Sequence, residues 1–170
     1  YVGFSLAVML SQEKEVTLFD IDASKLWMID NNKSPIRDQR IEEFLVQKEL
    51  HLKTSYDLAE AIYGRDLIVL ALPTNFNESS QFFDTSQIDL VISKIIKKNT
   101  STPILIKSTV PQGYTKRLQA HYPHVPIIFS PEFLREGSSL EDNLYPNRII
   151  VGNTESLGLD ISELFASFSL

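Results

Sequence analysis

Three short segments of this 170-residue sequence gather side chains able to do chemistry. They are Ala71-Leu72-Pro73-Thr74-Asn75, Lys107-Ser108-Thr109-Val110-Pro111, and Ser130-Pro131-Glu132-Phe133-Leu134-Arg135-Glu136-Gly137. Thr74 and Thr109 bring hydroxyls that can both donate and accept hydrogen bonds. Glu132 and Glu136 stand four apart, so on a helical turn they would share a face. Carboxylates that close repel, which raises the pKa of one and suits it to proton transfer. The same pair also fits a structural role, one glutamate capping a helix and the other pairing with Arg135 or Arg148.

A fourth position is Asp20, which ends a short β-rich stretch (Glu15 to Asp20) 17 residues after Gly3. Dinucleotide-binding units run strand, glycine-rich turn, helix, second strand and then an acidic residue about 20 positions on. The glycines let backbone approach a pyrophosphate, the helix N-terminus receives it, and the acid holds a ribose diol. Tyr1-Val2-Gly3 matches only the last glycine of such a turn. An Asp at the strand end favours NAD over its 2′-phosphorylated relative, with Lys25 nearby tempering that choice.

The elements that must carry these residues alternate. Helices are expected over residues 4–12, from Asp22 to Asn31-Asn32, over 37–47 with Ile41, Phe44 and Leu45 on one face, and over 56–63. A strand is expected at 52–54, and a near-continuous apolar one over 66–72, of the kind covered on both faces in a parallel sheet. A polar loop of about a dozen residues then runs to Thr85, a length that hints at function. Helices over 86–98, 111–120 and 155–168 and strands over 104–107, 125–129 and 148–151 complete the pattern, with 131–137 a loop or helical turn. The fold class is therefore α/β, a doubly wound parallel sheet. Each of the three chemical segments follows an apolar strand, so all emerge at the carboxyl edge, where open α/β sheets bind ligands. No repeat or linker interrupts residues 1–170, which read as a single domain.

Composition narrows the function classes. Apolar residues make up 43% and include 10 Phe, enough for a folded core, and Gly (6) and Pro (8) are too few for a fibrous or low-complexity chain. Sixteen Lys and Arg against 22 Asp and Glu give a net charge of −6, and Lys97-Lys98 is the longest basic run, so no nucleic-acid footprint is visible. No stretch approaches the ~20 apolar residues of a membrane span, and no secretory signal pattern is present. There is no Cys, which removes disulfides, thiolate metal ligands and thiol catalysis from this chain and fits a cytoplasmic setting. Tyr122, Pro123 and Pro126 deny His121 and His124 a shared helical face for a metal.

The order YVG, LFDID, SPI, ALPTN, KSTVPQG, FSPEFLREG and NLYPNRI resembles the nucleotide-sugar (UDP-glucose/GDP-mannose) dehydrogenase family over residues 1 to about 152. The EFLREG and NLYPNRI segments are the specific ones. The resemblance implies a Rossmann-like NAD-binding domain, followed in the family by a central helix and a sugar-nucleotide domain. It implies the branch that oxidises the C6 alcohol of UDP-glucose to the acid with two NAD⁺. By that match Val2 and Gly3 lie at the pyrophosphate turn, Asp20 and Lys25 meet the adenosine ribose, and Thr74 runs along the cofactor. Thr109 holds hydrogen bonds near the nicotinamide, Glu132 touches the substrate and assists a late hydrolysis, and Glu136 contacts NAD. The backbone from Glu132 through Phe133, Leu134 and Arg135 to Glu136 lines the sugar site.

Two departures follow from the same resemblance. The family's first strand and first two glycines would precede Tyr1, so the sheet is expected to have its first strand truncated, with marginal stability. The family's nucleophilic Cys belongs to the sugar-nucleotide domain, so this chain alone is expected to lack the four-electron turnover. Relatives acting on GDP-mannose or a UDP-N-acetyl hexosamine, and a non-catalytic nucleotide-binding remnant, remain alternative readings. Family members assemble as homo-oligomers through the central helix, which leaves assembly open here.

Overall fold

The computed structural model describes residues 1–78, 82–98, 101–152 and 156–170. They form two compact units. The first comprises residues 1–61, 133–149 and 163–170, and the second residues 62–132 and 150–162.

In the first unit, α1 (Val2–Leu10) is apolar around its circumference, with Phe4 through Leu10 all buried. Such a helix belongs inside a core, and it packs against β1 (Val16–Phe19), α3 (Gln39–Gln47) and α7 (Ser139–Leu144). β1 pairs in parallel with β2 (Leu52–Ser55), Phe19 opposite Ser55. Between them α2 (Ala23–Asp30) starts where Asp22 Oδ1 accepts the Ser24 N–H at 3.0 Å. The Ser24 hydroxyl and N–H together hold the exposed Asp22 carboxyl below its usual range. The second helix of this stretch, α3, begins at Gln39 rather than at 37, because Asp38 is its cap and accepts the Ile41 N–H at 3.3 Å. Asp38 is only 2% exposed, and its other oxygen accepts from the Ser139 hydroxyl (2.8 Å) and the Leu140 N–H (3.2 Å). One buried carboxylate thus starts two helices, α3 and α7.

In the second unit, β3 (Ile68–Leu70), β6 (Ile104–Ile106) and β7 (Ile127–Phe129) form a parallel sheet with β6 in the middle. Ile104, Leu105 and Ile106 are wholly buried, as expected of a strand covered on both faces. The helix α5 (Ser86–Lys98) turns Ile88, Ile92 and Ile95 inward and ends in Lys97 and Lys98, which complement the negative end of the helix dipole. The helix α6 (Tyr114–His121) also lies in this unit, while α8 (Ser156–Ser167) belongs to it only as far as Ser162 and to the first unit from Glu163 on. The short α4 (Leu58–Ile62) links the units in sequence.

Several expectations are corrected. The alternating order and the parallel pairing are as expected, but the strands are shorter than the apolar runs that mark them. Pro111 does not start a helix: Gly113, at φ +82°, closes a turn in which the Tyr114 N–H donates to the Pro111 carbonyl, and α6 follows. The polar stretch before Thr85 holds a small hairpin, β4 (Phe76–Asn77) against β5 (Phe82–Phe83), with the Phe76 and Phe83 rings edge to face at 5.2 Å. Residues 148–151 form no strand. Their neighbour Gly152 donates to the Phe129 carbonyl (2.7 Å). The expected start of the last helix, Glu155, lies outside the described residues.

Candidate functional site

Strand register brings the starts of the three chemical segments, which lie in the second unit, to one edge. Leu70, Ile106 and Phe129 are the last paired residues of β3, β6 and β7, with Leu70 opposite Ile106 and Ile106 opposite Phe129. The next residue of each strand carries the register on: the Lys107 N–H donates to the Leu70 carbonyl (2.8 Å), and the Ser130 N–H to the Ile106 carbonyl (3.0 Å). Thr74, Thr109 and Glu132 therefore follow their strand ends by four, three and three residues. Parallel pairing obliges all three to leave at the carboxyl edge. Thr109 is exposed, while Thr74 and Glu132 are half-buried.

Side chains stitch these loop starts together. The Leu72 N–H donates to Ser108 Oγ at 2.8 Å, tying the loop after β3 to the end of β6. Lys107 Nζ donates to Ser130 Oγ at 3.2 Å and to the Pro131 carbonyl at 3.3 Å, tying β6 to the loop after β7. Burial pulls the Lys107 ammonium down to about 8, and the negative charge of Glu132 acts in the opposite direction. Lys107 and Ser108 lie in one of the three segments named from the sequence, where only Thr109 is given a role. A cation directly after three fully apolar residues was the available signal, since a strand end that dry forces an ammonium to find acceptors.

The glutamate pair is corrected. Residues 131–136 form no helical turn, so Glu132 and Glu136 do not share a helix face. The loop is anchored instead by Asp142 on α7, which accepts the Arg135 N–H (2.8 Å) and its guanidinium (2.7 Å at the shortest contact). Arg135 accordingly pairs with Asp142 and holds its carboxyl below the usual range. Arg148 stacks its guanidinium on the exposed Phe133 ring at 4.0 Å. Leu134 is half-buried, and Glu136 is exposed.

In the first unit, Asp20 immediately follows β1. Its Oδ1 accepts the Asp22 N–H at 2.9 Å, and its Oδ2 stands 3.8 Å from Lys25 Nζ. The side chain is 33% exposed, which leaves Oδ2 within reach of a hydroxyl pair. Val2 and Gly3 are the first two residues of α1, and no side chain caps that helix. Nor does an acidic residue stand in its first turn. The N–H groups of a first turn have no acceptor within the helix, and with the helix dipole they suit an anion such as a phosphate. The donor set therefore fits a dinucleotide: amide donors for phosphate and a carboxylate for a ribose diol. Among the described residues no cluster of three or more His, Cys, Asp and Glu could hold a metal ion, and no helix is long and apolar enough to cross a membrane.

Known proteins resemble this chain along nearly its whole length. It is 46% identical over 167 residues to a UDP-glucose 6-dehydrogenase of Campylobacter jejuni, covering 97% of this chain and 42% of that protein. It is also 46% identical over 164 residues to a UDP-glucose 6-dehydrogenase of Streptococcus pneumoniae, covering 96% and 41%. The chain thus spans about two-fifths of the length of these relatives. Among solved structures, a UDP-glucose dehydrogenase from Pyrobaculum islandicum superimposes with a TM-score of 0.82 at 25% identity, over 98% of this chain and 42% of that one. A GDP-mannose dehydrogenase from Pseudomonas aeruginosa, at 23% identity and a TM-score of 0.83, covers 98% and 42% and shares the fold. The family model for the NAD binding domain matches residues 1–169, and this chain belongs to the UDP-glucose/GDP-mannose dehydrogenase family.

Proposed function

We propose that the protein carrying this domain oxidises the C6 alcohol of UDP-glucose to the carboxylate, and that residues 1–170 are its NAD-binding domain. The observation that carries the reading is the likeness to the Campylobacter and Streptococcus enzymes across almost all of this chain. The in-register edge of β3, β6 and β7 supports it by gathering hydroxyls and a carboxylate where such folds bind ligands.

NAD⁺, when bound, supplies the hydride acceptor, and the protein supplies position and electrostatics. In this reading the amides of Val2 and Gly3 receive the pyrophosphate, and Asp20 holds the adenosine ribose with Lys25 beside it. Thr74 lies along the cofactor, Thr109 holds hydrogen bonds near the nicotinamide, and Glu136 contacts NAD. Glu132 touches the substrate and handles a proton there in the late hydrolysis, its carboxylate accepting from the attacking water. Phe133, Leu134 and Arg135 contribute their backbone to the sugar site. Arg135 has its guanidinium committed to Asp142, which favours a main-chain role.

The test is a competition assay with the full-length protein. UDP-glucose, GDP-mannose and a UDP-N-acetyl hexosamine are each offered with NAD⁺, and kcat/KM is compared. The reading predicts UDP-glucose as the best substrate. A preference for either of the others, or no NADH from any of them, overturns it.

A further inference from the structure

We propose that Lys107 is a positioning residue: by holding Ser130 and Pro131 it fixes where the Glu132 carboxylate stands. The inference rests on the reading of Glu132 as the proton-handling group at the sugar. The geometry that supports it does not depend on that reading.

Lys107 is tied in two directions. Its backbone N–H bonds the end of β3, and its ammonium bonds the first two residues after β7. An ammonium has three donors. Two reach Ser130 Oγ and the Pro131 carbonyl, on the two residues directly before Glu132. The Glu132 charge acts on the same ammonium and favours its charged form. Ser130 is 1% exposed, so its hydroxyl cannot trade Lys107 for bulk water. With Pro131 restricting the backbone between them, Ser130 and Glu132 have little freedom to move apart. The residue that fixes Ser130 and Pro131 therefore fixes the start of the loop, and with it Glu132. A loop residue placed by a half-buried cation on a rigid central strand is held far better than one placed by the loop alone.

A purely structural fastener would cost stability and little else. A positioning residue has a different signature, because its effect passes through Glu132. In the full-length protein, Lys107→Met is expected to lower kcat about 10–100-fold, the scale of a misplaced catalytic group, with the dissociation constant for NAD⁺ changed less than about twofold. In the Glu132→Gln background the same change is expected to cost no more than about twofold, since the group it positions is already disabled. A kcat for Lys107→Met within twofold of the wild type, or full additivity with Glu132→Gln, overturns the proposal.

A second readout needs neither turnover nor a Lys107 variant. The rate at which Lys107 is acetylated, followed by peptide mass spectrometry across a pH series, reports the fraction of its uncharged form. Glu132→Gln removes the charge that favours the ammonium, so the midpoint of the labelling curve is expected to fall below that of the wild type. An unmoved midpoint overturns the proposal. If the wild-type protein oxidises no sugar nucleotide, the proposed function fails, and the labelling experiment still decides whether Lys107 and Glu132 are coupled.

Discussion

Replacing Asp38 with Ala should loosen two helices with one substitution. Asp38 caps α3 through the Ile41 N–H and accepts from the Ser139 hydroxyl and the Leu140 N–H at the start of α7. Losing an N-cap of this type costs about 1 kcal/mol. Ser139 is fully buried, and leaving its hydroxyl or the Leu140 amide without an acceptor adds about 1–3 kcal/mol. The 3.3 Å Ile41 contact is the weakest of the three and argues for the lower end of the cap figure. The total is roughly 2–4 kcal/mol, since the three bonds share one carboxylate and do not add fully. Amide exchange on the full-length protein reads the effect locally. The Ile41 and Leu140 amides should exchange roughly 30- to 1000-fold faster in the variant, at 1.4 kcal/mol per tenfold. Exchange at Leu140 within threefold of the wild type would refute the reasoning, because it would mean that the bond across 102 residues of sequence carries no free energy.

Three further outcomes are expected. Gly152→Ala should destabilise the protein by about 1–3 kcal/mol in urea unfolding, because an added Cβ would stand 3.0 Å from the Phe129 carbonyl that accepts the Gly152 N–H; an unchanged midpoint contradicts this. Lys107 holds its proton less tightly folded than unfolded, releasing it near pH 8 against 10.5, while Glu132 opposes that shift. The unfolded state then binds more protons between about pH 8 and 10.5, so this group's contribution to stability rises with pH across that window. Urea midpoints at the two ends of the window should show this rise in the wild type and its loss in Lys107→Met; equal slopes sink it. Asp20→Ala should weaken NAD⁺ binding on the order of tenfold by calorimetry while leaving thermal unfolding nearly unchanged, as the side chain is one-third exposed; unchanged affinity would exclude it from the ribose.

Much of the fold was legible because periodicity and burial agree. Ile88, Ile92 and Ile95 mark α5 by spacing alone, and the wholly apolar Ile104–Ile106 marks a covered central strand. The shared edge of the three chemical segments followed from the parallel order of their strands. What was not legible depends on partners distant in sequence. The helix α7 is six residues long and too short to show a period, and Asp38, 101 residues away from Ser139, helps to start it. Arg148 to Val151 has the composition of a strand, yet these residues join no strand ladder among the described residues. The shared helical face expected of Glu132 and Glu136 failed for a related reason. Lys107 holds Pro131 and Asp142 holds Arg135, and local spacing encodes neither of these bonds.

The central claim is tested most directly by counting NADH produced per UDP-glucose consumed by the full-length protein. Oxidation of an alcohol to a carboxylate removes four electrons, so the account predicts two NADH for each UDP-glucose. No NADH from UDP-glucose, with NAD⁺ binding intact, would contradict it.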